Sequence, residues 1–186
     1  MTKKVQENLD VTNELFDYGI SRRSRTIICS GQVDEDLLHR VESGLTLLEG
    51  LGEDIINIRL CTPGGEVDIG NAILDRILSS NCQIYIHAYG QIKSMGIFLL
   101  AAGDIRSCSS LTSFMHHGGS YAIEGTSNQN KAYLKYSEIQ DSLMHKWLAS
   151  RTKKDSTFWG NTGADVDHWF TCNEALEYGL VHKIIN

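Results

Sequence analysis

Apolar residues in this chain follow two different periods, one typical of strands and one typical of helices. Short apolar runs over 25–31, 55–61 and 83–89 have the length of strands, and turn residues follow each of them. Between the first two runs, apolar positions recur at spacings of three, four and seven, which predicts one helical stripe made of Leu37, Leu38, Val41, Leu45 and Leu48. Strands that alternate with helices indicate an α/β domain in which most strands are parallel.

The second half of the chain continues this pattern. Further strands are predicted over 104–108 and 111–117, and a last strand near 180–185. A long helix is predicted over 130–151, and its apolar face consists of Tyr133, Leu134, Ile139, Leu143, Trp147 and Leu148. Because no internal repeat or linker interrupts the pattern, we predict one domain over 25–186 that follows an N-terminal arm over 1–24.

Composition narrows the class of protein. The 186 residues carry a formal net charge of −6, which argues against nucleic acid as a partner because phosphate-binding surfaces need a basic excess. No segment approaches the ~20 consecutive apolar residues of a membrane span, and the polar N-terminus lacks a secretory signal, so we expect a cytoplasmic protein. The five cysteines are scattered and odd in number, which favours reduced thiols over disulfides or a metal site.

The segment Gly90-Gln-Ile-Lys-Ser-Met-Gly96 has the form G-x-x-x-S-x-G and is predicted as a tight turn between a strand and a helix. A nucleophilic serine needs such a turn, because the turn projects its hydroxyl and aims the following backbone N–H at a developing oxyanion. A second glycine-bearing turn, Pro63-Gly64-Gly65, follows the preceding strand. In parallel sheets both turns fall at the carboxyl edge, where chemistry usually collects.

A serine nucleophile also needs a base and an acid. His116 and His117 end a later strand, and adjacent strand residues point to opposite faces, so at most one of them faces Ser94. The same geometry disfavours a metal site on this pair. Asp165 and Asp167 are candidate acids, and spacing alone does not choose between them.

Taken together, these segments resemble the ClpP family of self-compartmentalised serine peptidases. The similarity runs from about residue 25 to the C-terminus and rests on four segments: Cys61-Thr-Pro-Gly-Gly65, Gly90-Gln-Ile-Lys-Ser-Met-Gly-Ile-Phe-Leu-Leu100, Phe114-Met-His-His117 and Asp167-His-Trp-Phe-Thr-Cys-Asn-Glu-Ala-Leu-Glu-Tyr-Gly-Leu-Val181. The resemblance implies the ClpP/crotonase-like spiral of β-β-α units with a protruding handle helix, for which the long helix is the candidate.

The resemblance also implies roles for individual residues. Ser94 matches the family's nucleophile, Asp167 its orienting acid, and His117 its base, with His116 left open because this segment is about two residues shorter than the usual pattern. The implied oxyanion hole consists of the backbone N–H groups of Gly64, Gly65 and Met95. The implied activity is a serine endopeptidase that cleaves unfolded polypeptides through an acyl-enzyme and requires no cofactor or metal.

The implied assembly is a homo-oligomer of two stacked heptameric rings, a tetradecamer, to which a separate ATP-dependent unfoldase delivers substrate. No nucleotide-binding P-loop is present in the sequence. Two departures from the family pattern are Lys93, where a small residue is common, and Gly119, where proline is common. These departures are more typical of divergent, phage-type members than of the standard bacterial enzyme. We expect the Lys93 side chain to point to solvent.

Two other functions remain open from the sequence. A crotonase-type acyl-CoA enzyme shares the spiral architecture and the backbone oxyanion hole. An inactive or regulatory ring subunit would keep the fold without using Ser94 as a nucleophile.

Overall fold

The computed structural model describes residues 18–119 and 124–186. Its framework is an eight-stranded mixed sheet whose strands are β1 Ile20–Ser21, β2 Thr26–Ser30, β3 Ile56–Thr62, β4 Ile84–Lys93, β5 Ile105–Ser109, β6 Ser113–His116, β7 His168–Phe170 and β8 Lys183–Ile185. Of the predicted N-terminal arm, residues 1–17 lie outside the described residues. Ile20 and Ser21 pair with β2 and lie at an edge of the sheet.

Strand order is β1-β2-β3-β4-β5-β8, and the neighbours from β2 to β8 run parallel. β6 pairs in parallel with the last residues of β4, and β7 pairs antiparallel with β6. The predicted α/β class with mostly parallel strands is therefore confirmed.

Six helices are described between and after these strands: α1 Glu35–Glu49, α2 Val67–Leu78, α3 Met95–Ala101, α4 Ser127–Arg151, α5 Ser156–Asn161 and α6 Cys172–Glu177. The sequence sets their starts. Asp34 caps α1 by accepting the Leu37 N–H, and Thr171 and Glu174 form a capping box at the start of α6.

The core lies on one face of the sheet. Ile27, Ile58 and Ile86 align in one row across β2, β3 and β4, and all three are at most 2% exposed. The predicted apolar stripe of α1 packs into the same core through Leu37, Val41, Leu45 and Leu48. The five cysteines are free thiols in this structure, and all but Cys61 are buried.

The prediction that Gly90–Gly96 is a tight turn is wrong for most of the segment. β4 runs on to Lys93, because its residues 91–93 pair with residues 113–115 of β6 after an irregularity near Gly90. Only Ser94 separates this strand from α3, and all seven residues of α3 are buried. The turn is consequently a single residue wide.

The long helix is present as α4 and extends three residues further toward the N-terminus than predicted. Of its predicted apolar face, Leu148 is buried, whereas Leu134, Ile139 and Leu143 are 46%, 51% and 53% exposed. The described part of the chain therefore leaves much of this face uncovered. Across residues 18–119 and 124–186, no helix combines the length and apolar character needed to cross a membrane.

Candidate active site

Ser94 occupies a strained turn between β4 and α3. Its φ is +51° and its ψ is −122°, and it is one of two described residues other than glycine with positive φ. The Ser94 N–H donates to the Met115 carbonyl at 2.8 Å, and the Ser94 carbonyl accepts the Ile97 N–H at 3.0 Å. A side chain rarely adopts this backbone conformation unless its surroundings impose it, and such positions cluster at functional sites.

The Pro63-Gly64-Gly65 turn packs directly against Ser94. A Cβ atom added at Gly64 would lie 2.7 Å from the Ser94 Cβ, and one added at Gly65 would lie 2.4 Å from the Val33 carbonyl oxygen. Both positions therefore require glycine for contact as well as for φ, which is +96° and +157°. The Gly64 N–H donates to the Thr62 hydroxyl at 3.0 Å, and Thr62 is fully buried. The Gly64 donor is thus already occupied.

His117 directly follows β6 and reaches Ser94. Its Nε2 lies 2.7 Å from the Ser94 Oγ, which is hydrogen-bond distance. The pairing of β4 with β6 produces this approach, because Lys93 is paired with Met115. Ser94 directly follows Lys93, and His117 lies two residues after Met115, so both lie at the same end of the strand pair. Ser94 and His117, more than twenty positions apart in sequence, are therefore brought together by one strand pair.

His116 points to the opposite side of β6, into the core. It is 1% exposed, and its Nε2 donates to the Trp159 carbonyl at 3.0 Å. The rings of Phe98, His145 and Trp159 surround it. Burial lowers the pKa of His116 to about 4, so the ring is neutral at pH 7.

Asp167 lies on the far side of His117, just before β7. Its Oδ1 is 4.0 Å from the His117 Nδ1, and its side chain is half exposed. This distance is within ion-pair range but too long for a direct hydrogen bond. The carboxylate is thus near the imidazole without contacting it.

The loop that carries Asp167 is hydrogen-bonded to the backbone next to His117. The Gly118 N–H donates to the Gly163 carbonyl at 2.9 Å, and Gly163 has a φ of +83°. A Cβ atom added at Gly163 would lie 2.5 Å from the His116 carbonyl oxygen. Gly163 was not predicted from the sequence as part of the site, although the Asn-Thr-Gly run that ends at Gly163 is a turn signal.

A narrow pocket of about 50 Å³ opens beside Ser94 and His117, and its wall includes Val67, Met95, Phe98, Met144 and His145. A larger cavity of about 620 Å³ adjoins it between α2 and α4, and the two share Val67, Asp141 and Met144. Such a mostly apolar recess beside Ser94 and His117 has the character of a small ligand pocket.

Lys93 was expected to point to solvent, and its side chain is partly exposed. Its ammonium lies over the Trp169 ring, 4.8 Å from the centroid, because both residues flank Met115 in the paired strands. A cation at this distance is attracted to the ring face. Lys93 therefore links β4 to β7, the strand that begins next to Asp167.

Nearly the whole chain matches one known protein family. The family model described as Clp protease matches residues 7–186. The chain belongs to the Clp protease family. The family resemblance and the enzyme class expected from the sequence, a serine-type peptidase, are confirmed at this level.

Curated relatives are similar over most of their length. The ATP-dependent Clp protease proteolytic subunit 2 of Corynebacterium efficiens is 32% identical over 180 residues, which are 94% of this chain and 87% of the relative. The subunit of the same name from Pseudomonas aeruginosa is 28% identical, over 92% of this chain and 85% of the relative. The one from Nocardia farcinica is 32% identical, over 88% and 82%.

Proposed function

We propose that this protein is a serine endopeptidase in which Ser94 is the nucleophile, His117 the general base and Asp167 the orienting acid. The observation that carries the proposal is the distance of 2.7 Å between the Ser94 Oγ and the His117 Nε2. A nucleophile and base within hydrogen-bond distance, with a carboxylate on the other side of the ring, form the constellation of acyl transfer. His116 is not proposed as the base, since its Nε2 is bound to the Trp159 carbonyl in the core.

The proposed reaction proceeds in two acyl-transfer steps. With the imidazole proton on Nδ1, toward Asp167, His117 Nε2 accepts the Ser94 proton as Oγ attacks the substrate carbonyl. The proton then passes to the leaving amine, the C–N bond breaks, and an ester to Ser94 remains. Water, deprotonated by His117, hydrolyses the ester and restores Ser94.

The proposed oxyanion hole consists of the backbone N–H groups of Gly65 and Met95. The turn at Pro63–Gly65 and the first residue of α3 both lie against Ser94, which supports this choice. Gly64 was expected to contribute too, but its N–H is engaged by Thr62. We therefore narrow the expected set to two donors, each of which would stabilise the developing negative charge.

We further propose that the substrates are unfolded polypeptides and that the protein works as stacked rings fed by a separate ATP-dependent unfoldase. The exposed apolar residues of α4 support an assembly, because contiguous exposed apolar surface marks an interaction site. A helix that protrudes its apolar face can act as the handle between rings. The relatives named as proteolytic subunits of an ATP-dependent protease support the unfoldase.

Labelling with a fluorophosphonate serine probe tests the proposal, with Ser94→Ala beside the wild type. We expect the assembled wild type to be labelled and the variant not to be labelled. Cleavage of an unstructured polypeptide should disappear in the same variant. A folded, assembled wild type that takes no label and cleaves nothing would instead identify an inactive or regulatory ring subunit.

A further inference from the structure

Two of the five cysteines lie close together although they are far apart in the sequence. Cys108 belongs to β5, and Cys172 is the first residue of α6. Strand pairing places Cys108 beside Ile184 of β8, and Ile184 and Cys172 line the same cavity. The two thiols interact with each other. We call Cys108 and Cys172 the thiol pair.

Backbone contacts fix the position of the Cys172 sulfur in the turn between β5 and β6. The sulfur lies 3.2 Å from the carbonyl oxygens of Ser109 and Thr112. It lies 3.4 Å from the carbonyl oxygen of Ser110. Because Ser109 directly follows Cys108 in β5, these contacts hold the Cys172 sulfur next to the backbone of its partner.

The two thiols differ in their access to solvent. Cys108 is fully buried, whereas Cys172 is 7% exposed. A cavity of about 400 Å³ lies over Cys172, and its wall includes Thr171 and Asn186. One water molecule occupies ~30 Å³ in the liquid, so the cavity has room for a small oxidant such as hydrogen peroxide. Cys172 is therefore the member of the thiol pair that a small molecule reaches.

The other three cysteines provide an internal comparison. Cys29 is aligned with Leu60, the residue before Cys61, so Cys29 and Cys61 point to opposite faces of the sheet. Cys82 lies before β4, and its sulfur is 3.4 Å from the Gly52 carbonyl oxygen. Cys61 is the partly exposed one of these three. It serves as a reference thiol outside the thiol pair.

The surroundings of the thiol pair set the order in which its members react. Burial, together with the neighbouring Cys172 thiol, raises the pKa of Cys108 to about 12, so Cys108 is protonated at pH 7. Peroxides oxidise the thiolate form of cysteine, and they need access to the sulfur. Oxidation therefore begins at Cys172, and Cys108 is the thiol that reacts second.

We propose that the thiol pair is a modification site at which a peroxide closes a reversible disulfide between Cys108 and Cys172. Hydrogen peroxide first transfers one oxygen atom to the Cys172 sulfur, which gives a sulfenic acid and water. The Cys108 sulfur then attacks the Cys172 sulfur, the S–O bond breaks, and the hydroxyl group leaves as water with the Cys108 proton. Two electrons pass from the two thiols to the peroxide, and a dithiol reductant reverses the step.

The disulfide encloses a large part of the candidate active site in one covalent loop. The chain between Cys108 and Cys172 includes His117, α4 and Asp167. A disulfide that closes a long loop restricts the unfolded chain and so stabilises the folded state. We expect the midpoint of thermal unfolding to rise by about 5 °C on oxidation. The inference does not depend on the role of Ser94.

Peptide mapping of the full-length protein tests this inference. The folded protein is treated with hydrogen peroxide, its remaining thiols are blocked with N-ethylmaleimide in denaturant, and a digest is analysed by mass spectrometry without reduction. We expect two peptides linked through Cys108 and Cys172, and we expect dithiothreitol to separate them. Dithiothreitol should also return the midpoint of thermal unfolding to that of the untreated protein.

Two variants separate the thiol pair from general oxidation. Cys108→Val keeps an apolar side chain in the core and removes the second thiol, so dimedone should trap the sulfenic acid at Cys172 and no linked peptides should form. Cys61→Ala is the matched control, because it removes a partly exposed thiol outside the pair. We expect it to form the linked peptides as the wild type does. Only the wild type and Cys61→Ala should show the rise in unfolding midpoint.

Three results would overturn the inference. If Cys172 of the wild type became a sulfinic acid while Cys108 still took N-ethylmaleimide, Cys108 would not be the second thiol. If Cys172 stayed a thiol while Cys61 was oxidised, the cavity would not admit the peroxide. A linked dimer on a non-reducing denaturing gel, absent from Cys172→Ala, would mean that Cys172 pairs with a second copy of this chain instead.

Discussion

His117 stands between two sides of the candidate site that are built differently. Toward Ser94, the Nε2–Oγ distance is 2.7 Å, and the serine lies between a buried strand end and a fully buried helix. Toward Asp167, the Nδ1–Oδ1 distance is 4.0 Å, and the carboxylate is half exposed. Strain such as the Ser94 φ persists only where packing imposes it, whereas an exposed loop has few contacts to fix its position. The position of Ser94 is therefore fixed by the core, whereas the position of Asp167 depends on a surface loop.

The largest expected effect comes from a change at His117, which lies at hydrogen-bond distance from Ser94. His117→Ala removes the proposed base beside Ser94, and we expect kcat/KM for peptide cleavage to fall at least about 10⁴-fold. Steady-state rates on an unstructured polypeptide measure it, with circular dichroism to verify the fold.

His116→Phe is the matched control, because it changes the neighbouring histidine, which faces the core. We expect it to keep fluorophosphonate labelling and kcat/KM within about tenfold of the wild type. If His116→Phe removed activity while His117→Ala retained it, the assignment of the base would be reversed.

A change at Asp167, which is 4.0 Å from His117, should have a smaller effect on kcat/KM. Asp167→Asn keeps the size of the side chain but removes its charge, and we expect kcat/KM to fall about 10²-fold, compared with about 10⁴ when an acid is hydrogen-bonded tightly to its histidine. The measurement is kcat/KM of Asp167→Asn and of His117→Ala on one substrate, which compares the two losses directly. Equal losses would mean that the working enzyme closes the 4.0 Å gap.

Sequence periodicity predicted the elements whose apolar residues enter the core. The strands at 55–61 and 83–89 and the stripe of α1 are present within one or two residues at their starts, because burial of one face fixes both period and register. β1, α5 and β7 were not predicted. Each is six residues or shorter, which is too few positions to display a period.

The site was predictable in part. Residue types at Ser94, His117 and Asp167 come from the family pattern, but the choice between His116 and His117 depends on which side of β6 faces Ser94. That side is set by the pairing of β4 with β6 beyond Gly90, and this segment was expected to be a turn. Nor does the sequence reveal that the Gly64 N–H is engaged by Thr62, since a hydroxyl contact across a turn has no local signature.

The pH dependence of stability tests how firmly the core side of β6 is packed. Folding lowers the pKa of His116 from 6.5 to about 4, so between these values the unfolded state binds more protons. The free energy of unfolding should therefore be full above pH 6.5, decrease by up to about 3 kcal/mol as pH falls to about 4, and level off below. Urea unfolding at several pH values across this range gives the free energy of unfolding at each pH. The slope of this free energy against pH should be smaller in His116→Phe than in the wild type. An identical slope in the variant would show that other groups cause it.

The smallest expected effect concerns the backbone contact at Gly163 that positions the loop with Asp167. Gly163→Ala strains a φ of +83° and places a methyl group 2.5 Å from the His116 carbonyl oxygen, so the loop must move away from His117. We expect kcat/KM to fall about tenfold, which corresponds to about 1.4 kcal/mol. Gly52→Ala is the control, because Gly52 also has positive φ, +139°, but no atom within 4 Å of the added methyl group. Both variants should lose stability, and only Gly163→Ala should lose activity. If both lost activity equally, general destabilisation would account for the effect, and the position of the loop would not limit catalysis.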